Sequence, residues 1–419
     1  MAGKIVLFGS SLLDCAPQGG LFAMAVGGGD SRRGNTAQIL SIVVFNAVTY
    51  FLIGLPLAVF PGLVHFTLGY SAALAGIVIS LQYAATLLTR SVVGRISDVR
   101  GAKVTVLAGL ICAGLNGVCI MGGALCHAPL AVLSWLLLSR LFLGAAESGT
   151  GTGCITWGIG RLGGAATAEV ISWNGVSSYG GIAAGAPAGV ALMHWGGLPA
   201  LAGVAMILPL LGLVGAAFNK AAAPLVGAKR MSMLSVAREI VPYGLALAGG
   251  SFGFGVIVAF MALYYTAHGW QGAAYALTSF GLCFVSVRIF LAGAIGRFGG
   301  FRAALVSFAI EVAGLVLLWL APAPLVALLG AALAGFGFSL VFPALAVEAL
   351  RTVAPGSRGA AIAIYTVFLD VALGVTGPLA GAVGGHFGYP AVFLTGALIV
   401  AAALALTFRL RTLVLARGV

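Results

Sequence analysis

The sequence predicts an all-α membrane protein with twelve transmembrane helices in two pseudo-symmetric six-helix halves. Of its 419 residues, 61% are hydrophobic and only 7% are charged, whereas roughly a quarter of the residues of a soluble domain are charged. The apolar runs are continuous and about 20 residues long, which suits helices rather than the alternating strands of a β-barrel. The basic residues recur between every second pair of runs, which indicates a chain that crosses a bilayer repeatedly.

The apolar runs divide the chain into two halves. They lie near residues 37–60, 72–93, 103–125, 129–153, 168–193, 198–218, 240–266, 272–294, 302–321, 324–347, 358–384 and 389–409, and we number them predicted spans 1 to 12. Residues 1–35 are predicted to be a flexible cytoplasmic tail, because the run Ile5–Leu13 is too short to span a membrane. A cleaved signal peptide is the alternative. The remaining predicted units are a first half at 36–218, a cytoplasmic linker at 219–238, a second half at 239–410 and a cytoplasmic tail at 411–419.

The distribution of charge predicts the topology. If both termini are cytoplasmic, 20 of the 21 Lys and Arg residues lie in tails, cytoplasmic loops or cytoplasmic helix ends, and Arg140 is the exception. The predicted outer loops contain no Lys or Arg. This positive-inside pattern accounts for the net charge of +12 without a nucleic-acid partner. We therefore expect a multi-pass protein of a bacterial-type inner membrane with both termini in the cytoplasm.

Two kinds of segment recur in both halves. The segment Gly94–Lys103 after span 2 has a counterpart in Gly293–Arg302 after span 8, at an offset of 199 residues. The Gly/Pro segment Gly185–Gly189 of span 5 has a counterpart in Gly374–Gly381 of span 11. Six-helix halves related by an axis along the membrane normal are one recognised plan of membrane transporters.

These segments resemble signatures of the major facilitator superfamily, and the resemblance covers residues 36–410. The positions that match the loop signature G-x-x-x-D-R-x-G-R-R are Gly94, Asp98, Gly101 and Lys103, with Val99 where the pattern has Arg. Arg140–Gly144 resembles the R-x-x-x-G motif of span 4, and Gly185–Gly189 resembles a span-5 motif associated with antiporters. The chain looks most like the drug:proton antiporter or arabinose-efflux-like branch, and the resemblance implies the fold of that superfamily.

The resemblance implies roles for the loop and for the glycines. Asp98, at the end of span 2, can meet a helix N-terminus or an Arg in one conformational state and lose it in another. The expected latch residues are Gly94, Arg95, Asp98, Arg100, Gly101 and Lys103. The alternative is a solvated loop that only fixes topology. The expected hinge or packing residues are Gly144, Gly185, Pro187, Gly189, Gly377 and Pro378.

Three of the nine carboxylates fall inside apolar spans: Glu147, Glu311 and Asp370. A charge at the bilayer centre costs at least about 2.5–3.5 kcal/mol, so such groups usually face a cavity, form a pair or carry a proton. Arg140 lies seven residues before Glu147, close to two helical turns, so both occupy one face of span 4. We expect proton coupling at Glu147 with Arg140 as a movable partner, and a static buried pair is the alternative.

The other charges within the spans are interpreted with the help of the resemblance. In that fold span 11 borders the central cavity, which makes Asp370 a candidate for proton or cationic-substrate binding, with a helix contact as the alternative. Span 9 is peripheral, so Glu311 is expected to pair locally, for example with Arg288. Arg90 and Arg288 lie inside cytoplasmic helix ends, where extending toward water or anchoring the loop is the ordinary behaviour.

Polar and aromatic side chains within the spans are candidates for a cavity lining. They are Asn46, Tyr50, Gln82, Tyr83, Trp173, Asn174, Tyr179, Tyr264, Tyr265 and Tyr365. Amides and aromatic rings around one or two acids suit an amphipathic or modestly polar organic solute better than a polyanion. The alternative at each position is hydrogen-bonded packing.

The expected function is secondary active transport, namely proton-coupled efflux of such a solute by alternating access. The alternatives are a proton-linked importer or facilitator of sugars or organic acids, a siderophore or metallophore exporter, and a non-transporting membrane receptor. The sequence has no Walker A lysine, no glycine motif followed by a βαβ unit and no clustered metal ligands. We therefore expect no enzyme activity, no cofactor or metal, and the proton gradient as the energy source. The expected partners are a small-molecule substrate, protons and the lipid bilayer, with no nucleic acid. The protein is expected to be a monomer.

Overall fold

A computed structural model describes residues 24–163, 166–222, 233–291, 294–353 and 358–416, and every regular element in these ranges is helical. The first half contains α1 (Met24–Leu57), α2 (Phe60–Gly62), a π-helix (Leu63–Thr67), α3 (Ala72–Arg100), α4 (Ala102–Ala124), α5 (Pro129–Leu162) and α6 (Thr167–Phe218). The second half contains α7 (Met233–Ala267), α8 (Ala273–Phe290), α9 (Ala294–Phe298), α10 (Gly300–Trp319), α11 (Pro324–Arg351), α12 (Arg358–Phe387) and α13 (Tyr389–Ala416).

Twelve membrane spans result because α6 is bent. Eleven helices of the described ranges are long and apolar enough to cross a membrane. At 52 residues, α6 would be about 78 Å long if straight, more than twice the roughly 30 Å of a bilayer core. Its backbone leaves the helical region at Gly196 and Gly197, and Gly197 takes a φ of 65° that favours glycine. The two limbs of α6, residues 167–195 and 198–218, therefore act as separate spans, which confirms the predicted count.

The helix bounds differ from the predicted spans mainly at the chain start and the linker. The helix α1 begins at Met24, inside the predicted tail, and α7 begins at Met233, inside the predicted linker. Residues 1–23 and 223–232 lie outside the described residues. The short helices α2 and α9 and the π-helix were not predicted, because α2 and the π-helix continue the apolar stretch of span 1 and α9 lies in the connection after span 8.

The contacts between helices repeat in the two halves. In the first half the tightest packing joins α1 to α6, α4 to α5 and α3 to α5. In the second half the corresponding pairs are α7 with α12, α10 with α11 and α8 with α11. Two seams join the halves, α3 against α12 and α6 against α8, and each seam repeats the other with the halves exchanged. This exchange confirms the predicted pseudo-symmetry.

The outside of the helical bundle is apolar. Large hydrophobic side chains such as Leu88, Leu125 and Phe218 are exposed by 76%, 74% and 85%. Such side chains are stable there only against lipid.

The bundle has two chemically distinct ends. The end that we call the basic end carries the start of α1, the end of α13 and the connections α3–α4, α5–α6, α6–α7, α8–α10 and α11–α12, and the sequence places 20 of the 21 Lys and Arg residues there. The other connections lie at the opposite end. At the basic end Gly101 (φ 92°) separates α3 from α4, and Gly299 (φ 85°) makes the equivalent turn in the second half.

Candidate functional site

Both seams between the halves are tightly closed toward the opposite end. On the first seam the backbone N–H of Gly377 in α12 donates to Ser80 Oγ of α3 at 2.9 Å, and Gly377 lies directly against the backbone of Gly76. On the second seam the Thr278 hydroxyl of α8 donates to the Ala183 carbonyl of α6 at 2.9 Å. These contacts seal the bundle on one side of its centre.

A cavity of about 180 Å³ lies between the halves, on the basic-end side of those contacts. The first half contributes Tyr50, Tyr83, Arg90, Glu147, Asn174 and Tyr179 to its walls, among others. The second half contributes Phe254, Phe284, Arg288, Phe338, Phe342 and Asp370, among others. The cavity therefore brings two acids and two arginines from different halves to one space.

Glu147 is buried at the cavity wall and accepts three hydrogen bonds. Tyr50 Oη of α1 donates to Glu147 Oε1 at 3.0 Å. Gln82 Nε2 and Thr86 Oγ1 of α3 donate to Oε2 at 2.9 and 3.0 Å. The carboxyl group thereby ties α1, α3 and α5 together while its edge stays accessible from the cavity.

Arg140 does not line the cavity, and the expected contact with Glu147 is not formed. Its Nη1 donates to Gln82 Oε1 at 3.3 Å, and its guanidinium lies 4.8 Å from the centre of the Phe60 ring. Gln82 therefore stands between the two charges, with its carbonyl toward Arg140 and its amide toward Glu147. Gly144 makes this insertion possible. A side chain at Gly144 would collide with the backbone carbonyl of Gln82, so glycine lets α3 approach α5 closely.

Asp370 forms the ion pair that the sequence did not predict. Its Oδ2 pairs with Arg90 Nη2, and Arg90 Nη1 donates to Thr366 Oγ1 at 3.1 Å. Arg90 belongs to the first half, and Asp370 and Thr366 belong to the second. The expectation that Arg90 extends toward water was therefore wrong, because a buried carboxylate in the neighbouring half attracts it across the seam.

Arg288 and Glu311 do not pair with each other. Arg288 lines the cavity, with its guanidinium 5.2 Å from the centre of the Phe284 ring. Glu311 is 1% exposed, lies beside Gly250 and Gly253 of α7, and neither of its carboxyl oxygens has a hydrogen-bond partner among the described residues. Arg288 faces the cavity whereas Glu311 faces α7, so the local pairing expected from sequence was wrong.

One wall of the cavity is a cluster of aromatic rings. Tyr179 stacks on Phe284 with ring centres 3.6 Å apart, and Phe254 stacks on Phe338 at 5.5 Å. Tyr179 and Phe254 also meet edge to face at 5.4 Å. Of these four rings only Tyr179 was a candidate from sequence, since a phenylalanine in an apolar span gives no sign of whether it faces lipid or a cavity.

Four of the ten candidate lining residues do line the cavity: Tyr50, Tyr83, Asn174 and Tyr179. The other six do not line this cavity and are instead used in packing or in the network behind the wall. Asn46 donates to Ser177 and Ser178, Gln82 lies between Arg140 and Glu147, and Trp173 packs on a small buried cluster. The hydroxyls of Tyr264, Tyr265 and Tyr365 donate to the carbonyls of Leu318, Pro324 and Phe342, respectively. Which main-chain carbonyl each hydroxyl reaches depends on how the helices pack, which sequence alone does not show.

The expected latch is only partly visible. Lys103 Nζ donates to the carbonyls of Ala217 and Asn219 at 2.9 and 2.7 Å, which caps the C-terminal end of α6. This contact stays within one half. Arg95 and Arg100 are exposed, an added Cβ at Gly94 would meet open space, and the side chain of Asp98 lies outside the described residues.

The hinge and packing candidates sit at close helix contacts. Gly185 and Gly189, on either side of Pro187, lie against the backbone of α1 at Phe51 and Leu55. Gly377, next to Pro378, lies against α3 in the seam between the halves. The repeated segment therefore packs inside the first half in one copy and across the halves in the other.

The chain is similar in sequence to known membrane transporters. A family profile described as Major Facilitator Superfamily matches residues 42–353. An uncharacterized MFS-type transporter of Burkholderia mallei (strain SAVP1) is 53% identical over 378 residues, 90% of this chain and 93% of that protein. An uncharacterized MFS-type transporter of Pseudomonas aeruginosa (strain UCBPP-PA14) is 48% identical over 383 residues, 91% of this chain and 95% of that protein.

Two solved structures share the fold. The human organic anion transporter MFSD10 (TETRAN) superposes with a TM-score of 0.64 at 17% identity, over 88% of this chain and 99% of that one. The nucleoside transporter NupG, as a D323A mutant, superposes with a TM-score of 0.68 at 14% identity, over 89% of this chain and 99% of that one. At these identities the likeness concerns the fold alone.

Proposed function

Because this chain belongs to the Major Facilitator Superfamily of membrane transporters, we propose that it couples proton movement to the export of a small organic solute by alternating access. The observation that supports this most is the meeting of Glu147 from the first half and Asp370 from the second at one cavity. A carboxyl group that faces a cavity inside a membrane can bind a proton from one side and release it to the other.

Asp370 supplies the link between protonation and shape. In the structure Arg90 neutralises Asp370 across the α3–α12 seam. A proton bound by Asp370 replaces Arg90 as the neutralising partner, which removes the attraction between the halves at that point. Proton and Arg90 therefore compete for one carboxylate, and the contact between the halves changes with the outcome.

Glu147 supplies a second proton position within the first half. Its three donors, Tyr50, Gln82 and Thr86, hold the carboxylate toward the cavity. A solute that takes over one of these donors alters how well the carboxylate is stabilised. Arg140 acts through Gln82 as a positioning residue, since it holds the amide that Glu147 accepts from.

Alternating access follows from the seams. The contacts around Gly377 and Thr278 close the opposite end, while the cavity lies on the basic-end side. We place the basic end in the cytoplasm of a bacterial inner membrane, in line with the positive-inside rule. The structure then corresponds to the state that loads solute from the cytoplasm, and the protein is taken to work as a monomer with no cofactor.

The test is transport in proteoliposomes with an imposed proton gradient. Uptake of a panel of amphipathic solutes into proteoliposomes with an acidic lumen should depend on the gradient, and protons should leave the lumen as each transported solute enters. The variants Asp370→Asn and Glu147→Gln should keep the fold and lose the dependence on the gradient.

Three outcomes would contradict the proposal. Solute movement at equal rates with and without the gradient would favour the facilitator, and solute and protons moving in the same direction would favour the importer. Normal gradient-driven export by both variants would remove the two acids from the coupling.

A further inference from the structure

We infer that the cavity binds an amphipathic organic anion, whose acid group pairs with Arg288 and whose apolar body lies on the aromatic wall. This inference rests on the proposed transport cavity and names its substrate class. Four charged side chains line the cavity, and three of them have partners: Arg90 with Asp370, and Glu147 with its three donors.

Arg288 is the charge that lacks a partner. It is 8% exposed, and no hydrogen bond or salt bridge joins its guanidinium to any residue in the described part of the chain. Its guanidinium lies over the face of the Phe284 ring. A guanidinium stays protonated in proteins, so a buried one without an acid leaves an uncompensated positive charge.

The pseudo-symmetry shows which partner is missing. Arg90 and Arg288 are 198 positions apart, as are the turn glycines Gly101 and Gly299, so the two arginines occupy equivalent places on α3 and α8. The prolines Pro187 and Pro378 of the partner helices are 191 positions apart. The same separation places Tyr179 where the other seam has Asp370, and Gly175 where it has Thr366.

The space left by this exchange lies next to the cation. A Cβ added at Gly175 would lie 3.5 Å from Arg288 Nη1, in ordinary contact, and the nearest atoms around it all belong to Arg288. The second seam therefore has an arginine without its acid and an opening in front of it. A carboxylate, sulfonate or phosphate monoester group of a solute fits that opening as the missing counter-charge.

The surroundings of Arg288 define the rest of the solute. Phe284, one turn before Arg288 on α8, stacks on Tyr179, and Phe254 and Phe338 continue the same wall. Flat apolar bodies pack well on such rings. The occupant is therefore a monoanion with an aromatic or similarly flat body, and an inorganic anion would leave the rings unused.

Binding to the purified full-length protein in detergent tests this without a proton gradient. We expect 2-naphthylacetate to bind about tenfold or more tighter than its neutral amide, 2-naphthylacetamide, when measured by isothermal titration calorimetry in a gluconate buffer. The Arg288→Gln variant should lose this preference. The Gly175→Asp variant supplies the missing acid from the chain and should lose it too. Its uncharged match, Gly175→Asn, fills the same opening without neutralising Arg288, so it should weaken binding of both compounds but keep more of the preference than Gly175→Asp does.

The opposing results are equally definite. The inference would be overturned if 2-naphthylacetate and 2-naphthylacetamide bound equally, if 2-naphthylacetate did not bind, or if Gly175→Asp kept the full preference for 2-naphthylacetate. Displacement of 2-naphthylacetate by chloride at equal concentration would show a site for small inorganic anions instead. The preference is measured at constant pH with Asp370 intact, so its failure leaves proton coupling standing. Loss of gradient-driven transport, in turn, leaves the binding result standing.

Discussion

At the residue scale, the partners of Arg140, Glu147 and Asp370 lie on other helices rather than along their own helix. Arg140 and Glu147 share a face of α5 but are separated by Gln82 of α3. Asp370 meets Arg90 from the other half of the molecule. The partner of a buried charge is therefore decided by which helices pack together, and sequence spacing along one helix does not show it.

The Arg90–Asp370 pair should show clear energetic coupling. Each single variant, Arg90→Gln or Asp370→Asn, leaves one buried charge alone, whereas the double variant leaves none. We expect the double variant to be more stable than the sum of the single effects implies, by about 1 kcal/mol or more. Thermal unfolding of the four proteins in detergent measures this coupling.

A matched cycle controls for general effects of lost charge. Arg95 is exposed near the end of α3, and the cycle of Arg95→Gln with Asp370→Asn should be additive to within about 0.5 kcal/mol. Additivity of the Arg90 cycle to the same degree would mean that the pair contributes nothing to the fold.

Sequence reasoning found the acids of the site but not their surroundings. Glu147 and Asp370 stand out because carboxylates are rare in apolar spans. Arg90 and Arg288 also lie in spans, but each is close enough to a helix end for its long side chain to reach water. Their equivalent positions in the two repeats were the signal that could have marked them together.

At the element scale, the close approach of α3 and α12 depends on two small residues. Gly76 and Gly377 face each other in the seam, and a Cβ on Gly377 would collide with the Gly76 backbone and Ser80. Gly374, one turn earlier on α12, is different, because a Cβ there would lie 3.7 Å from the Ala84 nitrogen, an ordinary contact. Gly377 and Gly374 of α12 thus offer a test position and a control position on one helix.

We expect Gly377→Ala to push the seam apart and to favour opening at the opposite end. A spin-label pair on Leu125→Cys and Leu325→Cys, exposed at that end of the two halves by 74% and 67%, reports the separation. Double electron–electron resonance should show longer distances in Gly377→Ala. The Gly374→Ala variant should resemble the parent protein. Equal distributions in all three would show that the seam does not depend on this contact.

Helix positions were predictable from sequence because twelve continuous apolar runs leave few alternatives. The break between predicted spans 5 and 6 falls at Gly196 and Gly197, where the backbone leaves the helical region. The start of α7 at Met233 could not be predicted, because a polar stretch that continues a helix beyond the membrane has no hydrophobic signal.

At the scale of the whole molecule, the chain is two similar halves held by two seams, with charge placed where the seams meet the cavity. One seam carries a complete ion pair, and the other carries an arginine without an acid among the residues that the structure describes. The first arrangement suits proton coupling and the second suits solute binding. Duplication of one six-helix unit followed by different substitutions at equivalent positions accounts for both.

The central claim is that protonation of Asp370 and Glu147 moves the two halves relative to each other. Distances between spin labels at both ends of the bundle, measured as a function of pH in a cysteine-free background, test this most directly. Val99→Cys with Phe298→Cys reports the basic end, since these residues are 74% and 56% exposed on different halves. The Leu125→Cys with Leu325→Cys pair reports the opposite end.

Lowering the pH should change the two distances in opposite directions, because protonation favours one of two alternating states. The double variant Asp370→Asn with Glu147→Gln should lose that response at both ends. Distances that do not change with pH in the parent protein, or that change equally in the double variant, would contradict proton-coupled alternating access through these two carboxyl groups.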